Sequence, residues 1–367
     1  MAEFKVAVIG ATGKGDYGHG HDVAWKQIPG CTIVGVADLD SAGRDAAAQR
    51  LSAPAFADYR TMLDQVRPDI VSIAPRWIDQ HADMVLSAAE RGIHVYMEKP
   101  FCRNLEEADA IVAAVRKHNV KLAIAHQTRY SPLLPVIRNL IEDGAIGTVL
   151  ELRGRGKEDR RGGGEDLWVL GSHIFNLMQY FGGEPNWCFA SVQQDGRPIE
   201  TNDIVQGNEG IGPIAGDSID AMFGFPDGVT GHFGSHRHAG AGGQSRFGLR
   251  IVGSQGQIDM LTGHMPPAYI LQDPLWSPGR SGKQWQRITT KGIGQTEPLA
   301  DGGLPAGNKL VAEDLLDAIQ EDRLPEANVF EARNTIEMIM AVFQSGLKQA
   351  KIAMPLAQRA HPLNAGQ

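Results

Sequence analysis

A strand, a glycine-rich loop and a second strand ending in an acid occupy the first 38 residues, and this order most constrains the fold. Residues 4–9, Phe-Lys-Val-Ala-Val-Ile, read as a buried strand. Gly10-Ala11-Thr12-Gly13-Lys14-Gly15-Asp16-Tyr17-Gly18-His19-Gly20 follows at once, with a helix expected from about Asp22. Residues 32–37 form a second strand that ends at Asp38. Alternation then continues: helix 41–52, strand 68–74, helix 81–91, strand 94–97, helix 105–118 and strand 121–125. Strands alternating with helices over short connections imply a parallel, doubly wound sheet. We place this domain at residues 1–126.

The loop suggests what such a sheet would hold. Glycines permit a tight turn and close backbone approach to a pyrophosphate, which also gains from a helix N-terminus. Counted from Gly10, the middle glycine of G-x-G-x-x-G is replaced by Thr12; counted from Gly13, the pattern is met by Gly13, Gly15 and Gly18. Asp38 lies about twenty residues further on, where a carboxylate accepts from an adenosine ribose and repels a 2′-phosphate. NAD is therefore expected, with NADP disfavoured. Lys14 could offset phosphate charge or simply be solvated.

The texture changes after residue 126. A helix is expected over 132–142 and a strand over 149–155, then strands at 187–193, 219–225, 228–234 and 247–252, with long loops over 265–305 and helices at 308–320 and 330–350. Many strands with few helices indicate an open, largely antiparallel sheet, so residues 127–367 form a second α/β domain. With 43 acidic against 35 basic residues and a net charge of −8, the chain lacks the excess of basic charge expected of a general nucleic-acid binder. Its three cysteines, Cys31, Cys102 and Cys188, are too few and too scattered for a disulfide scaffold or a cysteine zinc site. No apolar run is long enough to span a membrane, and the N-terminus lacks a signal-peptide pattern, so a cytoplasmic protein is expected.

Glu98-Lys99-Pro100 closes the 94–97 strand. A lysine at a strand end lies where ligands bind in open α/β sheets and could exchange a proton with a substrate hydroxyl. Together with the glycine loop, Asp38, Ala74-Pro75, His81, Gln127-Thr128-Arg129-Tyr130, the 145–149 segment and Gly171-Ser172-His173, it resembles the glucose–fructose oxidoreductase / inositol dehydrogenase family. The resemblance implies an N-terminal Rossmann domain and a C-terminal α/β domain. That second domain's open sheet would make a homodimer or homotetramer, and its final helices would pack back toward the first. It implies cofactor contacts at Gly10, Thr12, Gly13, Gly15, Gly18, Asp38, Ala74, Pro75, His81, Glu98 and Gln127. It also gives Lys99 and His173 the substrate hydroxyl, and a cis Lys99–Pro100 bond. The family aspartate four residues before the histidine is Val169 here. Asp166 or Asn176 could stand in.

The expected chemistry is NAD-dependent oxidation of a secondary hydroxyl on a sugar, polyol or derivative. Two rivals stay open: an NAD-retaining hydrolase, lyase or epimerase using transient oxidation, and a non-catalytic dinucleotide-binding regulator. Arg129, Arg160, Trp168 and His236 are further substrate-side candidates, with His236 expected in a loop His232–Gln244. Trp168 could stack on a sugar or fill core, and the charged run 153–166 could face the cleft or be solvated. His19-Gly20-His21 and His236-Arg237-His238 lack a matched ligand set, so no metal is expected.

Overall fold

The first strand, β1 (Phe4–Ile9), sits inside a six-stranded sheet with β2 (Cys31–Ala37), β3 (Ala55–Phe56), β4 (Ile70–Ile73), β5 (His94–Met97) and β6 (Leu122–Ile124). The order is β3-β2-β1-β4-β5-β6, and every adjacent pair is parallel. The computed structural model describes residues 3–240 and 245–364. They divide into two units. One holds the residues through Tyr130 with Gly207–Gly212 and Leu304–Ile336; the other holds Ser131–Gln206, Pro213–Gly303 and the residues from Glu337 onward.

In the part of the first unit that runs through Tyr130 the α-helices are α1 (His21–Ala24), α2 (Ser41–Leu51), α3 (Tyr59–Val66), α4 (His81–Ala89) and α5 (Leu105–Lys117). Short polar side chains start three of them: Asp40 accepts from Gly43 N–H, Asp58 from Thr61 N–H and Asn104 from Glu107 N–H. Glu106 and Glu107 in the first turn of α5 and Arg116 and Lys117 in its last complement the helix dipole. The short β3 and α3 were not separately anticipated.

The helix expected after the glycine loop is only four residues long. Gly20 precedes it in left-handed conformation without a side-chain cap, a 3-10 turn follows over Trp25–Gln27, and Pro29 ends the segment. The helix that follows the glycine loop is therefore a single turn, which supplies little dipole, and the backbone N–H groups of the loop are left as the main donors to a pyrophosphate.

The second unit contains α6 (Leu133–Glu142), β7 (Val149–Arg155), α7 (Gly164–Val169), α8 (Gly171–Gly182), β8 (Trp187–Gln194), β9 (Arg197–Pro198), β10 (Val205–Gln206), β11 (Pro213–Ile214), β12 (Ser218–Gly224), β13 (Thr230–His236), β14 (Gly248–Gly253) and β15 (Gly256–Leu261). It continues with β16 (Ala268–Leu271), α9 (Pro278–Ser281), β17 (Gln286–Thr289) and β18 (Gly292–Ile293). After α10 (Gly303–Gln320) and α11 (Val329–Lys348), β19 (Ile352–Ala353) closes the sheet edge. The large sheet runs β18-β17-β16-β15-β14-β7-β13-β12-β8-β19, with β9 on β8. Its neighbours along that order are antiparallel apart from β7 and β13. The expected long loops over 265–305 are thus partly wrong: alternation in β16 and β17 extends the sheet despite the local prolines and glycines.

One face of the parallel sheet buries Val6, Ile70 and Tyr96 against Trp25 and, from α10, Val311, Ala312 and Leu315. Val8, two residues on from Val6 and so on the same face, packs with Val36 and Ala74 on Ala47, Leu51 and Tyr17. A fully buried side chain of this size stabilises by about 1.5–3 kcal/mol. In the second unit, Phe175 of α8 meets Phe223 of β12 and Phe233 of β13 at ring-centroid distances of 5.3 and 4.9 Å.

Candidate active site

Strand order reverses between β1 and β4, and open parallel sheets bind ligands at the carboxyl ends flanking such a point. A cleft of roughly 450 Å³ opens there. Gly10, Ala11, Asp38 and Leu39 line it from one side and Ala57, Arg60 and Met84 from the other. Leu39 is 79% exposed, an apolar surface at the mouth of the cleft. Asp38 is buried, and its carboxylate is held by the loop. It accepts from Thr12 N–H at 3.0 Å, Thr12 Oγ1 at 2.7 Å and Asp40 N–H at 3.0 Å. The side chain of Thr12, in place of the middle fingerprint glycine, therefore points at Asp38. It also lies against α2, where a Cβ on Gly43 would come within 1.9 Å of Thr12 Oγ1.

Ala11 and Asp16 pair through both backbone N–H groups and close the loop on itself. Gly13, Gly15 and Gly18 all have positive φ, and a Cβ on Gly18 would sit 2.5 Å from the Ala74 carbonyl. A turn that close to the sheet excludes side chains there. The cleft combines apolar Leu39, Ala57 and Met84 with the carboxylate of Asp38 and has glycines beside it, and that combination fits the adenosine and diphosphate of NAD.

Glu98 is fully buried at the end of β5. Its Oε1 is contacted by His19 Nδ1 and accepts from His19 N–H at 3.3 Å, with His21 Nε2 3.4 Å away. Its Oε2 accepts from Lys99 N–H at 3.0 Å. Burial alone would raise this carboxyl, but His21, the His19 hydrogen bond and Lys99 outweigh it and hold the group far below its usual range. His21 stacks on Tyr96 at 4.4 Å, and burial pushes its imidazole down to about 4. The two histidines of His19-Gly20-His21 thus share one carboxylate. Among the described residues no group of three or more His, Cys, Asp or Glu is set to hold a metal ion.

Lys99 is 7% exposed, and the Lys99–Pro100 peptide is cis, as the resemblance implies. His81 is fully buried. Its ring nitrogens lie 2.8 Å from the Pro75 carbonyl and 3.0 Å from that of Pro100, so it links the segments after β4 and β5; burial lowers its proton affinity. Gln127 donates to Asn308 Oδ1 at 3.0 Å. Asn308 of α10 also accepts from Tyr96 OH at 3.1 Å and donates to the His19 carbonyl at 2.8 Å. Sequence reasoning missed this hub, since nothing local marks an asparagine whose partners lie 181 to 289 positions away. Arg129 is buried and donates to the Glu326 carbonyl at 2.6 Å and to Glu331 at 3.2 Å, which ties it to the start of α11.

In the second unit, His173 is half-buried on α8, edge-on to Phe247 at 6.0 Å, while Asn176 and Val169 are buried. Asp166 is fully buried, and its carboxylate accepts from Lys157 N–H at 3.3 Å, Glu158 N–H at 3.1 Å and Ser235 Oγ at 2.5 Å. It braces the segment after β7 against β13. Burial raises its carboxyl despite these donors. Trp168 is core, stacked with His361 at 6.0 Å. Arg160 is exposed. The charged run is largely self-paired: Arg155 with Glu158, Arg161 with Asp159 and Arg153 with Glu151.

His236 needs correction. It belongs to β13 rather than to a loop His232–Gln244. Ser235 faces Asp166, so His236 points to the opposite sheet face, with Nδ1 2.7 Å from Ser218 Oγ and Nε2 3.4 Å from Asp220. Residues 241–244 of the anticipated loop lie outside the described residues.

A parallel sheet with an acid after its second strand, a glycine loop after its first and Glu-Lys-Pro after its fifth defines a Rossmann nucleotide-binding unit. The chain belongs to the GFO/IDH/MocA family. Residues 4–126 match its oxidoreductase domain with NAD-binding Rossmann fold, and residues 136–259 match the GFO/IDH/MocA C-terminal domain. It is 29% identical over 226 residues to a levoglucosan dehydrogenase of Pseudarthrobacter phenanthrenivorans, covering 55% of this chain and 57% of that protein. Identity to a D-apiose dehydrogenase of Paraburkholderia graminis is 34% over 149 residues, 40% of this chain and 39% of that one. The matched stretch thus spans about half the length of these relatives. A structure of levoglucosan dehydrogenase with NADH and levoglucosan superposes with a TM-score of 0.78 over 96% of this chain and all of that one, at 22% identity, a likeness of fold.

Proposed function

We propose that this chain is an NAD-dependent oxidoreductase acting on a secondary hydroxyl of a sugar, polyol or sugar derivative. The observation that carries the reading is the β1/β4 switch point, flanked on one side by the Asp38 cleft and on the other by Glu98-Lys99-Pro100. Gly10, Thr12, Gly13, Gly15, Gly18 and Asp38 would hold the adenosine and diphosphate, and Ala74, Pro75, His81, Glu98 and Gln127 would shape the nicotinamide end. NAD, when bound, accepts a hydride. Lys99 would hold the substrate oxygen, and His173 is the acid–base partner that the family resemblance implies. The names of the dehydrogenase relatives support a carbohydrate substrate.

The test is NADH formation, followed by nicotinamide absorbance, across a panel of aldoses, anhydrosugars and inositols. NAD binding without turnover of any of them would refute the reading. We also propose a cytoplasmic homodimer or homotetramer that pairs through the open face of the large sheet. Phe189 and Tyr269 are 44% and 42% exposed there. Light scattering coupled to size exclusion tests that assembly, and a monomer would refute it.

A further inference from the structure

His19 is held at three points. Its peptide N–H and ring Nδ1 both meet Glu98 Oε1, and its carbonyl accepts from Asn308 Nδ2. Yet 31% of its side chain is exposed, while Glu98 is completely enclosed. A buried carboxylate on one imidazole nitrogen, with the other side of the ring open, fixes the tautomer and the ring's orientation. With Nδ1–H donating to Glu98, the lone pair lies on Nε2.

The location suits acid–base work. The loop carrying His19 follows β1, Gly18 beside it lies where a Cβ would come within 2.5 Å of the Ala74 carbonyl after β4, and Glu98 ends β5. The imidazole therefore stands at the strand ends where ligands bind in such sheets. Lys99 is the next residue, and the ionised Glu98 is a counter-charge for its ammonium, which suits Lys99 to gripping an oxygen. The other titratable groups around Glu98 are His21 of α1, Tyr96 of β5, His81 of α4 and His126 after β6. All four are buried, and burial pushes His126 down to about 3 and His21 to about 4. In the second unit, Val169 stands where the resemblance implies an aspartate, four residues before His173.

We propose that His19 is the residue that takes the substrate hydroxyl proton, with Glu98 as its orienting carboxylate and Lys99 holding the oxygen. The proposal rests on the alcohol-oxidation reading above. The O–H bond breaks and its proton passes to His19 Nε2. The C=O bond forms, and the carbon's hydrogen leaves with its electron pair to NAD⁺. The imidazolium then returns its proton to water through its exposed edge.

The test uses the full chain and His19→Asn, whose amide N–H can still donate to Glu98 but which has no Nε2. The expected result is NAD affinity within about twofold by calorimetry, single-turnover hydride transfer slower by about 10²–10⁴-fold, and loss of the acid limb of the kcat/KM profile. Wild-type rates with an unchanged profile would overturn the proposal. So would a rate loss explained wholly by weaker NAD binding. Nitrogen NMR of ¹⁵N-histidine-labelled protein, with and without NAD⁺, is the readout independent of turnover. A neutral His19 carrying its proton on Nδ1 supports the assignment, and a proton on Nε2 overturns it. If the unmodified protein oxidises no substrate in the panel, the reaction reading fails, and the NMR result still decides His19.

Discussion

Thr12→Val removes one hydroxyl while keeping the side-chain shape, and it isolates how the loop sets Asp38. The Thr12 Oγ1 bond to Asp38 is short, at 2.7 Å, and its acceptor is a carboxylate 3% exposed. Hydrogen bonds to charged groups contribute about 1.5–3 kcal/mol. Thr12 N–H and Asp40 N–H would still hold the carboxylate, so about 1–2 kcal/mol is the expected loss in pre-organised binding, or roughly a 5–30-fold rise in the NAD Kd. NADP gains nothing from a well-aimed Asp38, so its Kd should change less and the preference for NAD should narrow. Asp38→Ala should narrow it further. Gly43→Ala should mimic Thr12→Val, because its new Cβ collides with the Thr12 hydroxyl. Calorimetric titration of each variant with both cofactors checks this. Unchanged NAD affinity in Thr12→Val, with folding intact by circular dichroism, would refute the role given to that hydroxyl.

Lys99→Ala should abolish most turnover, by about 10²-fold or more, with NAD affinity nearly unchanged; single-turnover kinetics at saturating NAD check it. His173→Ala should cost less than His19→Asn in the same assay, and the reverse order would return the proton-transfer role to the second unit. Acid should destabilise the fold partly through His361, which burial beside Trp168 and Phe343 pushes down to about 4. Its folded value is below the unfolded one, so the unfolded chain protonates first as pH falls. Stability is full above about pH 6.5 and declines toward pH 4, by roughly 2 kcal/mol at about pH 5. Urea unfolding of wild type and His361→Phe at about pH 7.5 and pH 5 should show a smaller pH difference in the variant; equal differences would exclude His361 as a contributor.

The parallel sheet was legible because it is written in local pattern. Val6, Val8, Ile70, Ile73 and Val95 form apolar runs that only a strand covered on both faces can bury, and Asp38 and Lys99 follow directly from where such strands stop. The antiparallel sheet was legible to Gly253, where alternation is clear, and was lost over 265–305, where glycines and prolines mask β16 and β17. Those strands exist because β15 offers them an edge to pair with, a tertiary fact. The same limit governs the site. Thr12 looked like a defect in a glycine fingerprint until Gly43, on another element, made room for it. Asp166 and His236 were candidates by charge and spacing, but alternation along β13 sends Ser235 to one face and His236 to the other. Asn308 and the Glu98–His19 contact join residues 79 to 289 positions apart, and no residue-by-residue pattern records such a separation. Sequence alone determined which strands form and which ionisable groups stand at their ends, because both follow from near-neighbour chemistry. Which nitrogen meets which carboxylate was decided only when packing brought distant segments to one burial site, where an unpaired charge is too costly to leave.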